Sequence, residues 1–161
     1  MANLPSSLAN KFISHLNNLN ITRKKVERLF DKGELVRKDI EQVYNGLFLD
    51  ACTSFENFLE DLFLGLLVGH FKIKSNKCKP KIKVFSYLTA REIMASKGKK
   101  YVDWLPYEDN TEGFAKLFFS DGKPFTGLDN DNKKQIKNIV IIRNVLAHNS
   151  SFSKKKFKEK V

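Results

Sequence analysis

Apolar residues recur at three- and four-residue steps through most of this chain, the spacing that lines one face of an α-helix. Leu8, Phe12, Leu16 and Leu19, then Val26, Leu29 and Phe30, predict a first helix over about 6–31. Pro5-Ser6-Ser7 supplies its starting chemistry and Gly33 breaks it. From Arg37 to about Val68 a longer run carries Ile40, Val43, Leu47, Phe48, Phe55, Phe58, Leu59, Leu62 and Leu66 on a broad apolar face, and is expected to form the spine of the domain. Between Lys72 and Lys83 six of twelve residues are Lys, and Pro80 with a loose alternation suits an extended basic loop. Shorter helices are predicted at 86–96 and 111–119, separated by Tyr101 to Pro106, an extended stretch whose aromatics cover the core. Ser120 to Gly127 is turn chemistry. Asn132 to Gln135 resembles a capping box and opens a last helix that runs to about His148, where Asn149-Ser150-Ser151 stops it. With no internal repeat and no strong strand pattern, the expected fold is all-α. It is a mostly up-and-down bundle of four or five helices with a long central helix, in one domain over 1–161.

Composition fits that picture. A chain of 161 residues with 42% hydrophobic residues and 14 Phe fills the core of one domain without disulfides. Lys and Arg number 29 against 18 Asp and Glu, and the formal charge of +11 points to a polyanionic partner such as RNA, DNA or an acidic surface. Cys52 and Cys78, with His15, His70 and His148, match no metal-ligand spacing, so no metal or cofactor and a reducing, cytoplasmic setting are expected. Met1 to Ser7 has neither a basic n-region nor an apolar stretch, and Leu62 to Val68 is interrupted by Gly65. That stretch is far below a spanning length of roughly 20 residues, so neither export nor membrane insertion is expected.

The last helix holds the sharpest local chemistry. At about 100° per residue, Ile136, Ile139, Val140, Leu146 and Ala147 share one apolar arc, and Arg143 projects into the middle of it. Asn144 and His148 are four apart, so the amide is placed to orient the imidazole. On the spine helix the same construction puts Glu56 between Phe63 and Leu49, inside the apolar sector, whereas Asp50, Glu60 and Asp61 lie on the charged edge. Periodicity leaves two readings open. One is a structural Arg143–Glu56 salt bridge locking two helices, with His148 an ordinary helix-end histidine; the other is a reactive site. Lys72, Lys74, Lys77, Lys79, Lys81 and Lys83, and Lys154, Lys155 and Lys156 of the tail at 152–161, are either solvated or contact phosphates without base preference. His15 and His70 read as surface or helix-end residues, and Cys52 as core filler.

The order Arg143-Asn144-x-x-Ala147-His148 resembles the Arg-Asn-x-x-x-His signature of the HEPN superfamily, all-α domains that include many metal-independent endoribonucleases. Ser54 to Leu59, Trp104-Leu105-Pro106, Phe125-x-x-Leu128 and Ile142 to Ser150 are similar to the RiboL-PSP-type branch, so the likeness spans most of the chain. It implies that Arg143 stabilises charge on the scissile phosphate, that His148 transfers a proton and that Asn144 holds His148, with Glu56 an acidic neighbour from an earlier helix. It further implies a two-fold homodimer whose motifs line one cleft. The implied function is a toxin or antiviral defence ribonuclease restrained by a cognate antitoxin or defence partner. Members of the superfamily that bind nucleic acid or a partner protein without cleavage leave a non-catalytic module as the alternative.

Overall fold

The computed structural model describes residues 5–71, 78–95, 101–148, 155, 157 and 158. Among the described residues five α-helices carry the fold: α1 (Pro5–Asp31), α2 (Arg37–Leu67), α3 (Tyr87–Met94), α4 (Glu112–Phe118) and α5 (Asn130–His148). The all-α bundle expected from periodicity is present, with α2 the longest helix at 31 residues. Among the described residues there is no β-strand, only an isolated bridge between Pro80 and Phe119, and no helix long and apolar enough to cross a membrane.

Helices α1 and α2 form an antiparallel hairpin. Gly33, at φ +75°, takes the left-handed position that ends α1, with the Gly33 N–H donating to the Phe30 carbonyl at 2.9 Å and the Glu34 N–H to Leu29 at 3.0 Å. The Asp39 carboxylate then accepts from the Val36 N–H at 3.1 Å and caps the start of α2. The hairpin is zipped by Phe12 stacked on Phe58, ring centres 5.1 Å apart, and by the Tyr44 hydroxyl donating to Glu27 at 2.5 Å.

The core gathers on the C-terminal half of α2. Phe63, fully buried, lies 4.9 Å from both the Phe119 and the Phe125 ring centres and 5.1 Å from Trp104. The extended Tyr101–Pro106 stretch delivers Trp104 into this cluster as its aromatic pattern suggests. Gly65 interrupts the apolar run because Phe71 folds back onto it: a Cβ there would lie 2.3 Å from the ring. One wide helical turn at Tyr107–Thr111 leads into α4, tied down by Thr111 Oγ1 donating to the Trp104 carbonyl at 2.6 Å and by the Tyr107 hydroxyl donating to Phe125 at 2.8 Å.

One expectation is corrected. The start of α5 is capped by Asp129, whose Oδ1 accepts from the Asn132 N–H at 2.8 Å. Asn132 is thus the inner partner of the cap, and α5 begins at Asn130, because the side chain that reaches the free N–H groups must precede the first turn. Helix α1, predicted over about 6–31, forms over Pro5–Asp31 and has no buried residue. It covers one side of α2 only, so Leu29 and Phe30, counted on its apolar face, remain exposed. The predicted end of α3 at 96 and the stop at Asn149-Ser150-Ser151 lie outside the described residues.

Candidate functional site on the last helix

Helix α5 lies antiparallel on α2. Its earlier residues Ile136 and Ile139 line a cavity with Cys52 and Phe55, and its later residues Ile142 and Leu146 line a groove with Leu47 and Phe48. Arg143 therefore meets α2 in mid-helix, at the point where Glu56 rises from the apolar sector. Arg143 Nη2 lies 3.2 Å from Glu56 Oε1, with side chains 35% and 27% exposed, and Arg143 Nη1 donates to Asn144 Oδ1 at 3.1 Å. The stem of Arg143 borders the apolar cavity, about 290 Å³, with Phe12, Leu16, Phe48 and Val140 among its other walls. The guanidinium is held at the edge of carbon surface, and water still reaches it.

That setting acts on the neighbouring acids. Burial pushes the Glu56 carboxyl above its ordinary value, against the opposing pull of Arg143, and Asp103 adds to the rise. The cation thus offsets only part of the hydration that Glu56 gives up. Burial likewise raises the Cys52 thiol, with Arg143 again opposing, so Cys52 stays protonated and fills the core as its apolar neighbours suggest.

His148 stands exposed at the end of α5. It is five residues from Arg143, which sets the two side chains about 140° apart around the helix and about 7.5 Å apart along it. The expected Asn144–His148 hydrogen bond is not made. The Asn144 amide oxygen is taken by Arg143 instead, because a guanidinium carries five N–H donors and Glu56 engages only one edge of it. Among the described residues no partner holds the imidazole.

Lys79, Lys81, Lys83 and Lys155 are exposed, while Lys72, Lys74, Lys77, Lys154 and Lys156 lie outside the described residues. The Lys79–Lys83 segment is fastened to the end of α4, through Lys81 N–H to the Phe118 carbonyl at 2.8 Å, whereas Arg143 packs on α1 and α2.

Two further clusters join residues far apart in the chain, and periodicity carries no signal for either. Glu60, assigned to the charged edge, receives Arg91 Nε at 2.6 Å on one oxygen and Trp104 Nε1 at 3.0 Å on the other. Both oxygens are engaged, so this carboxylate clamps α3 and the Trp104 segment to α2. His15, read as a surface residue, meets Asp50 at 3.1 Å, and Ser54 donates to the same carboxylate oxygen at 3.3 Å. Imidazole and hydroxyl converge on Asp50 and not on each other, so no activated nucleophile is built. Among the described residues no group of His, Cys, Asp and Glu is arranged to hold a metal ion.

No protein-family model, curated protein or solved structure matches this chain.

Proposed function

We propose that the chain is a metal-independent endoribonuclease of the HEPN type, working as a two-fold pair in which the ends of the two α5 helices meet. The observation that carries this reading is the pairing, on one helix, of a guanidinium kept at the surface by Glu56 and Asn144 with an exposed His148 that no described residue engages. RNA brings its own nucleophile, so a positioned proton carrier and a cation near the phosphate suffice. The 2′-hydroxyl gives its proton to an imidazole and attacks phosphorus, and the bond to the 5′-oxygen breaks. The leaving oxygen takes up a proton. The products are a 2′,3′-cyclic phosphate and a 5′-hydroxyl, with Arg143 stabilising the charge that develops on the phosphoryl oxygens. The net charge of +11 favours gathering the polyanion. A toxin or defence effector, restrained by an antitoxin or partner, is the setting this activity fits.

A second reading has its own support. Arg143 already has Glu56 and Asn144 as partners, as expected of a non-catalytic helical module in which the pair joins α2 to α5 and the basic surface binds nucleic acid or protein.

Expression of wild type beside His148→Ala and Arg143→Ala, scored for growth arrest and RNA breakdown, separates the two. Each substitution should lower cleavage at least about a hundredfold while leaving the helical content intact, and wild-type cleavage should survive EDTA. Full activity in His148→Ala, dependence on Mg²⁺ or cleavage of DNA would each overturn the ribonuclease reading.

A further inference from the structure

Phe85 is the most exposed large apolar residue of the described chain, at 84%. Its position explains why. Ser86 caps α3, accepting from the Thr89 N–H at 3.1 Å, and the residue before a cap ordinarily packs on the fourth residue of the helix. Here that residue is Ala90, itself fully buried, which offers no surface to a ring outside. Val84 turns into the core, so its neighbours Lys83 and Phe85 both stand outward, with the Lys83 ammonium 5.7 Å from the ring centre.

The segment that leads to the ring is basic and fixed to the fold. Ser120 N–H donates to the Lys79 carbonyl and Lys81 N–H to Phe118, at 2.9 and 2.8 Å, and Lys81 Nζ donates to the Lys116 carbonyl at 2.7 Å. Lys79, Lys81 and Lys116 are thereby gathered at the end of α4, and their chain neighbours Ile82 and Leu117 are exposed as well. Glu112 on the same helix is buried, facing Lys133 at 2.6 Å and Lys116 at 3.8 Å, and Asp121, next to Ser120, is exposed at the rim, so lysines outnumber acids at this surface.

From this geometry we propose that the Lys79–Phe85 segment and the adjoining end of α4 bind single-stranded RNA, with one base stacked on the outer face of Phe85 and neighbouring phosphates on the lysines. The proposal rests on the ribonuclease reading only in taking RNA as the polyanion. Lysines alone would hold any polyanion. The bare ring selects for a strand with free base faces, since a duplex keeps its bases stacked on one another. The Lys83 cation lies against the ring and leaves its opposite face to the base.

The test is fluorescence anisotropy with the whole chain and a 2′-O-methyl oligouridylate, which cannot be cleaved by 2′-attack, beside a duplex RNA of equal length and vesicles containing phosphatidylserine. Phe85→Ala should weaken single-strand binding by about ten- to a hundredfold and leave duplex binding unchanged, and Phe85→Trp should retain the affinity. Lys83→Gln should reduce the log–log salt slope by about 0.7. Phe85 packs on no core surface, and circular dichroism of Phe85→Ala confirms that the fold is kept. Single-strand binding unchanged in Phe85→Ala, or an equal loss on duplex, overturns the stacking surface, as does Phe85-dependent binding to vesicles without binding to RNA. Phe85-dependent binding by a chain that cuts no RNA sinks the nuclease reading and leaves this surface standing; cleavage with no Phe85 effect does the reverse.

Discussion

Glu56 and Arg143 form a partly buried pair in which burial outweighs the attraction of the cation on the carboxyl. Burial moves the Glu56 carboxyl above its ordinary value of 4.5 in spite of the guanidinium 3.2 Å away. A carboxyl whose folded pKa is raised contributes stability below its unfolded pKa and loses it as pH rises through the folded value. Wild type should therefore lose stability relative to Glu56→Gln as pH climbs above about 4.5, the ordinary value. At neutral pH the variant should lie within about 1 kcal/mol of wild type, since partly exposed pairs contribute little. Urea denaturation at a series of pH values reads this directly, and a Glu56→Gln variant that becomes progressively less stable with rising pH contradicts it. The same substitution probes the reaction. In the proposed reaction a phosphate would compete with Glu56 for Arg143, so Glu56→Gln should cleave RNA at least as fast as wild type, whereas loss of cleavage would make the carboxylate part of the chemistry.

At the scale of elements, the position of α5 depends on contacts at both of its ends. Arg143 joins its later half to α2, and Lys133, in its second turn, reaches Glu112 on α4 at 2.6 Å with the two side chains 17% and 5% exposed. The contact is ionic, the ammonium approaching Glu112 Oε1 outside hydrogen-bonding geometry. Lys116, at 3.8 Å and mostly exposed, is the other cation beside this carboxylate. Lys133→Ala would leave a buried anion with that distant partner and should cost about 3 kcal/mol, measured as a lower denaturation midpoint at unchanged m. Removing both charges, Glu112→Gln with Lys133→Gln, should recover most of the loss. Equal destabilisation in the double variant would show that side-chain packing, not the uncompensated charge, is responsible.

For the whole molecule, the distribution of buried residues is uneven. The tight aromatic cluster sits at one end of α2, whereas α1 buries nothing and α5 buries only Val140. Between them runs an open groove of about 510 Å³ lined by Leu16, Leu19, Phe48, Ile142 and Leu146. The proposed pairing brings the ends of two α5 helices together, and this carbon-lined edge is the surface beside that contact. Sedimentation at micromolar concentration should show a dimer, and Ile142→Glu should shift it toward monomer. A wild-type chain that sediments only as a monomer would remove the shared site.

The helices were legible because their apolar spacing is a local property. Leu8 to Phe30 and Ile40 to Leu66 state their period whatever they pack against, and Gly33 and the loop lysines punctuate them. Part of the candidate site was legible for the same reason: Arg143 and Glu56 each violate the apolar face of their own helix, and two buried-side charges of opposite sign on packed helices attract each other. What tertiary structure alone decided is which faces find partners. The amide of Asn144 turned to Arg143 because the guanidinium had donors left over, Glu60 became a clamp once Trp104 and Arg91 arrived from 44 and 31 residues away, and Phe85 stayed in solvent because buried Ala90 leaves it no support. Periodicity along one helix records that a face is apolar, but burial requires a second surface, and where that surface lies depends on contacts between segments far apart in the chain.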